Sequence, residues 1–213
     1  MTRIATLTRR AYRAEHRGVP AFYSPDMHIT APDEAIGSAL LLISRARPRC
    51  GNTTVVAIDG PSGAGKTDLA AALAGRLPGA QVLHMDDLYA GWDGLARAVT
   101  DLQDRVLGPL ARGEQATYRP WSWQHDRYAE PQSLPSTELL LVEGVGSGAK
   151  PGWQLVSALI WLEADREERL RRGTERDGET YLPHWLRWAQ QEDALFATDR
   201  TRDRADLVID TSP

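Results

Sequence analysis

Short, continuous apolar runs alternate with longer stretches of helical period along most of this chain. From Asp33, the residues Ile36, Ala39, Leu40 and Ile43 recur at helical spacing until Pro48 stops them. "TVVAID" (54–59) is a β-branched run of the kind that forms a buried parallel strand. Leu69, Leu73 and Leu77 fall four apart, on one face of a helix ended by Pro78 and Gly79. "AQVLHMDD" reads as a second strand finishing in acids. "WDGLARAVTDLQDRVLGPLARG" is mostly helical, with Leu95, Val99, Leu102 and Val106 as its inner stripe. "STELLLVEGV" and "LVSALIWLEA" are further buried strands, the first ending in an acid. "DREERLRRGTERD" and "LPHWLRWAQQEDALFATD" are helical, and "ADLVID" closes the chain with a strand. This alternation predicts an α/β fold: one doubly wound, mostly parallel sheet with helices on both faces. There is no internal repeat and no low-complexity tract.

Length agrees with that picture, since 213 residues hold one substantial domain. Residues 1–32 differ from the rest. Arg3, Arg9, Arg10, Arg13 and Arg17 face a single acid, Glu15, and three prolines follow. This composition fits a transit peptide or, more plainly, a loosely packed extension ahead of a domain spanning 33–213. The net charge of -4 gives no electrostatic case for nucleic acid. The single cysteine, Cys50, precludes an intrachain disulfide and a cysteine metal cluster, and it reads as inert. With no apolar run of membrane-spanning length and no signal-peptide core, the expectation is a soluble cytoplasmic protein without a membrane partner. Oligomeric state is left open, a dimer or tetramer included.

The chemistry concentrates in "GPSGAGKT". Gly60, Gly65, Lys66 and Thr67 satisfy G-x-x-x-x-G-K-[ST], with a predicted strand before and a helix after. The glycines let successive N–H groups converge on an anion, and the helix N-terminus adds partial positive charge. Gly60, Pro61, Ser62, Gly63, Ala64, Gly65, Lys66 and Thr67, with Asp68 behind them, are therefore the expected phosphate site. Lys66 would reach the β- and γ-phosphates, and Thr67 carries a hydroxyl for Mg²⁺. The alternative is an accidental glycine-rich turn, against which both flanks argue. No Asn-Lys-x-Asp guanine reader is present, and Glu143 stands alone before a glycine where a motor ATPase has an acid pair. Both absences lean towards a small phosphotransferase.

Asp86 and Asp87 end the second strand, where open α/β sheets place their ligand crevice. A carboxylate there suits the task of accepting a hydroxyl proton. The competing reading is a helix N-cap. At this point the chain resembles the uridine kinase family of P-loop nucleoside kinases, within the wider group of phosphoribulokinase and pantothenate kinase. The resemblance runs over roughly residues 54–210. It implies that Asp86 is the catalytic base, that Tyr89 lines the substrate site, and that Glu143, followed by Gly144, lies near Mg²⁺. Trp92 and Asp93 stand where the family has an aromatic–Asp pair whose Asp holds ribose hydroxyls. The family's base-covering arm carries Tyr-Asp-Phe and a nearby His. Here "TYRPWSWQHDRYAE" places Trp121, Ser122 and Trp123 at that triplet, with His125 beside them. Losing the Asp and widening two rings opens the identity of the acceptor. Independently of the family, Tyr118, Trp121, Trp123 and Tyr128 suit stacking on a planar base, or equally a hairpin packing its rings on the domain.

Arg169, Arg172 and Arg176 share one helical face and could close over phosphates as an arginine-rich lid, with Gly173 as hinge. The resemblance picks out Arg172 and Arg176. Glu167–Arg171 and Glu168–Arg172, four apart, equally describe an ordinary solvated helix. Trp185, Trp188 and Leu195 read as core. Arg202 or Arg204 stands near where the family holds adenine. The sequence thus leads to an ATP- and Mg²⁺-dependent kinase of a small-molecule hydroxyl, most simply a nucleoside. The alternatives are a sugar, pantothenate-like or antibiotic alcohol as acceptor, or a nucleotide-binding module without efficient transfer.

Overall fold

The computed structural model describes residues 33–178 and 182–213, apart from the side chains of Arg176, Asp177 and Leu182; the expected extension 1–32 lies outside the described residues. In chain order, α1 (Asp33–Arg45) leads to β1 (Thr54–Asp59), α2 (Lys66–Ala74) and β2 (Gln81–His84). Two single 3₁₀ turns, Met85–Asp87 and Gly91–Asp93, precede α3 (Leu95–Asp101). That helix widens into a π-turn over Leu102–Leu107 and finishes as α4 (Gly108–Ala111). Two-residue strands follow: β3 (Thr117–Tyr118), β4 (Trp121–Ser122), β5 (Arg127–Tyr128) and β6 (Gln132–Ser133). The chain then returns to the sheet with β7 (Leu139–Glu143) and β8 (Ala158–Glu163), and closes with α5 (Arg166–Asp177), α6 (Leu182–Asp199) and β9 (Leu207–Asp210).

The sheet runs β2-β7-β1-β8-β9, and every pairing in it is parallel. Alternation along β1 divides the core. Val56 and Ile58 face Leu69 and Leu73 of α2 and Ile36, Ala39 and Ile43 of α1. Val55 and Ala57 face the opposite layer, built from Leu95, Leu102 and Val106 together with Trp188 of α6. Helices therefore cover both faces, which explains the continuous apolar runs of β1, β7 and β8. Among the described residues, no helix is long and apolar enough to cross a membrane.

Three local departures from the sequence pattern have physical causes. Gly75 ends α2 at Ala74, so Leu77 packs on the core from a turn rather than from the helix. Pro109 has no N–H for the carbonyl four residues back, and the helix before it widens so that Gly108 N–H reaches Gln103 O. Gly173 does not interrupt α5, which runs unbroken from Arg166 to Asp177.

Candidate functional site

β1 delivers the phosphate loop to the middle of the sheet's carboxyl edge, between β7 and β8. Gly60 turns the chain at φ 133°, and a Cβ there would lie 1.9 Å from Leu162 O. Only glycine fits. At Gly63, φ 82°, a Cβ would meet the backbone of Arg169 at 2.6 Å, so α5 lies directly against the loop. Ala64 is buried in the α1–α2 layer, and Asp68 sits in the first turn of α2. Lys66 opens α2 and folds back, its Nζ donating to Gly60 O (2.7 Å) and Pro61 O (2.9 Å). Burial pushes its pKa down, while Glu192, Glu143, Asp59 and Asp86 hold the ammonium charged from different sides.

Beside the lysine, Thr67 Oγ1 donates to both oxygens of Glu143 at 3.3 Å. Glu143 is buried at the end of β7, and its Oε1 lies 2.6 Å from His84 Nδ1. Burial alone would pull the His84 pKa down; the bond and charge of Glu143 outweigh it and push the pKa up to about 9. The pair is thus charged at neutral pH. Burial likewise opposes ionisation of Glu143, but His84, Lys66 and Thr67 bring its pKa below the usual carboxylate range. Among the described residues no group of three or more His, Cys, Asp or Glu side chains forms a metal cage. A hydroxyl and one carboxylate instead fit a Mg²⁺ that keeps waters and takes phosphate oxygens as its remaining ligands.

Asp86 and Asp87 lie on the 3₁₀ turn after β2, Asp86 exposed and Asp87 half-buried. The charge of Asp86 acts on Lys66, His84 and Tyr89, which places it on the same crevice as the loop. Trp123 Nε1 donates to Asp86 O (3.0 Å) and its ring meets Trp92 edge-on at 5.3 Å. Trp92 in turn stacks on His184, 4.7 Å between centroids and 5° from parallel. Trp121 packs edge-on against Tyr128 at 5.0 Å, and its buried Nε1 has no hydrogen-bond partner among the described residues. His125 Nδ1 lies 2.9 Å from Ser122 Oγ on the exposed rim. The arm is thus a hairpin that packs its rings on the domain, with Trp123 beside Asp86.

Other predicted site residues are placed differently. Tyr89 is 2% exposed, and its hydroxyl donates to Val145 O (2.9 Å). It forms part of the floor beneath the crevice, because its ring packs on Trp188. Asp93 is paired with Arg187 on the surface. Arg172 is 5% exposed rather than poised over the mouth: Nε bonds Glu168, Nη1 bonds Thr211 Oγ1 and Gly63 O, and Nη2 bonds Thr211 O. With four of its five N–H groups engaged in this way, it braces the back of the loop. Arg176 belongs to α5, but its side chain lies outside the described residues. Arg204 pairs with Asp199, donates to Gly148 O and lies over the Trp153 ring at 5.4 Å.

Three residues at the site escaped sequence reasoning. Asp59 is fully buried and accepts N–H bonds from Gly60 (2.7 Å), Gly146 (2.9 Å) and Gly148 (2.9 Å), tying the phosphate loop to the loop after β7. An acid closing an otherwise apolar strand was its visible signal. His84, two residues before Asp86, offered a weaker one. Glu192 offered none beyond helical spacing from Trp188.

This strand order, with a glycine-rich loop after the central strand, Glu143 at the end of β7 and Asp86 on the turn after β2, is decisive. The fold is a P-loop kinase fold. It is shared with a structure described as a possible uridine kinase from Bacillus stearothermophilus, at 22% identity and TM-score 0.62, covering 84% of this chain and 98% of that one. A Silicibacter sp. TM1040 protein assigned by name as a fructose transport system kinase matches at 21% identity and TM-score 0.48, over 82% of this chain and 98% of that one. No family model matches the sequence. None of the curated proteins matches it either.

Proposed function

We propose that the protein is a kinase transferring the γ-phosphoryl group of ATP to a hydroxyl of a small molecule, most simply a nucleoside. The observation that carries this reading is the convergence of Lys66, the Thr67–Glu143 pair and Asp86 on one crevice at the carboxyl ends of β1, β7 and β2. The loop N–H groups and Lys66 bind the phosphates, Lys66 exchanging its two loop carbonyls for phosphate oxygens. Thr67 and Glu143 hold Mg²⁺, which when bound offsets charge on the β- and γ-phosphates. His84 keeps Glu143 ionised and aimed. Asp86 accepts the proton of the attacking hydroxyl. The hydroxyl oxygen forms its bond to the γ-phosphorus as the bond to the β-bridging oxygen breaks, and ADP leaves. Catalysis is positioning and electrostatics, with no covalent enzyme intermediate.

The indole wall of Trp92, Trp121 and Trp123 suits a planar acceptor. A second reading, a non-nucleoside alcohol such as a sugar, is favoured by the Asp93–Arg187 pair, which engages the carboxylate expected to hold ribose.

The test is ADP release from Mg·ATP across nucleosides, sugars and pantothenate-like alcohols. Under this reading one acceptor stimulates release, Lys66→Ala abolishes it, and Asp86→Asn lowers kcat by about 10²–10⁴. ATP binding without stimulation by any acceptor would instead favour a nucleotide-binding module.

A further inference from the structure

A phosphate cradle has little use for a buried carboxylate, yet α6 supplies one. Glu192 is 2% exposed. Its Oε1 accepts the Ser62 backbone N–H at 2.9 Å and the Trp188 Nε1–H at 2.7 Å. Its Oε2 lies 3.8 Å from Arg169 Nη1, and that nitrogen also donates to Ser62 O at 3.3 Å. Of the charges acting on Lys66, that of Glu192 is the largest. A loop N–H, a lysine and an arginine around one anion are the set of groups that binds a phosphate oxyanion. Lys66 is the residue that reaches the β- and γ-phosphates, so Glu192 stands at that end of the cradle.

The same helix holds the acceptor wall. His184 stacks on Trp92, Arg187 pairs with Asp93, and Gln191 Nε2 donates to Trp92 O at 2.7 Å. Trp188, which aims Glu192, meets Trp92 edge-on at 6.3 Å and Tyr89 at 4.7 Å. One rigid element therefore grips the phosphate loop through Glu192 and the indole wall through residues one and two turns earlier.

We infer that Glu192 is a positioning residue that holds the place of the γ-phosphate in the nucleotide-free protein, and that its displacement by that phosphate moves α6 against Trp92. Glu192 holds the Ser62 N–H and the charge of Arg169 and acts on the charge of Lys66, and a second anion there is repelled, so a γ-phosphate that takes that N–H displaces the carboxylate. ADP lacks the group that competes and leaves Glu192 in place. Because coupling between sites is reciprocal, an acceptor bound at the indole wall favours ATP over ADP. The inference rests on the kinase reading of the loop.

The test is calorimetric titration of the full chain with Mg·ATP and with Mg·ADP, alongside tryptophan emission. Glu192→Gln keeps shape and hydrogen bonding but removes the charge. It should tighten ATP on the order of tenfold, within the usual range of coupling between sites, and leave ADP unchanged. In the wild type, ATP but not ADP should shift the emission, and both Glu192→Gln and Trp92→Phe should lose that shift. Trp188→Phe, which frees the carboxylate from its anchor, should change the ATP-to-ADP affinity ratio in the same direction, and it serves if Glu192→Gln folds poorly. Equal effects of Glu192→Gln on both nucleotides, or an ATP-driven emission shift that survives it, would overturn the inference and leave Glu192 as a brace for the loop. Those outcomes spare the kinase reading. A wild type that binds neither nucleotide, or ATP binding indifferent to Lys66→Ala, would bring down both.

Discussion

Asp59 shows how much one residue can couple. Its carboxylate has no direct ion-pair partner among the described residues and is held by three backbone N–H groups instead, two of them from the loop after β7. Burial pushes its pKa up to about 6, and the three N–H bonds and the charge of Lys66 only partly oppose this. The folded chain thus binds this proton more tightly than the unfolded chain, whose aspartate titrates near its ordinary value. The associated stability is fully present below that ordinary value and is lost as pH rises through about 6. Its full size is on the order of 3 kcal/mol. Asp59→Asn lacks the titration and, through its amide, misplaces a donor against a loop N–H. Its melting temperature should lie below the wild type's at every pH, with the gap narrowing between about pH 4 and pH 7. A gap that widened with pH would mean that the N–H bonds outweigh burial.

Among the elements, α5 departs furthest from its sequence reading. Arg169, Arg172 and Arg176 on one face suggested a lid, but Arg169 and Arg172 point their donors at loop carbonyls and at Thr211, while Arg171 sits on the surface between Glu168 and Glu175. The loop's shape depends on this helix, because Gly63 is in backbone contact with Arg169. Arg172→Ala would leave the carbonyls of Gly63 and Thr211 without their arginine donor, while Glu168 keeps its bonds to Arg171. Losing the donor to these carbonyls costs on the order of 1–3 kcal/mol, which for a chain of this size lowers the melting temperature by roughly 5 °C. A lid arginine would give the opposite pattern, a large loss of kcat with the melting temperature intact, so thermal unfolding measured beside turnover separates the two. The periodicity of α5 was legible, whereas its partners were not. An i,i+4 Glu–Arg pair looks the same in sequence whether it faces water or the back of a phosphate loop.

For the molecule as a whole, binding and stability are one quantity. A ligand that binds only the folded state at a hundred times its Kd adds about 2.7 kcal/mol. Mg·ATP at that level should therefore raise the melting temperature by roughly 5–10 °C. Lys66→Ala should lose most of that gain. Chelating the metal with EDTA should lose part of it, and Glu143→Gln should mimic the chelator. If the gain were indifferent to EDTA and to Glu143→Gln, the Thr67–Glu143 pair would have no part in holding the metal.

Local chemistry determined a great deal of this protein. Continuous apolar runs between glycines specify buried parallel strands, and a glycine-rich turn joining strand to helix specifies a phosphate cradle, because both follow from sterics and hydrogen bonding within a few residues. The two acids at neighbouring strand ends, Asp86 and Glu143, were legible for the same reason. Tertiary structure decided what faces what. Tyr89 and Arg172 carry the residue types of a site and are buried beneath it or behind it. Asp59, His84 and Glu192 reach it from positions that sequence spacing does not mark. Burial and long-range approach are properties of the packed chain. The Ser62 N–H meets Glu192 across 130 residues of sequence, and no local pattern records such a contact.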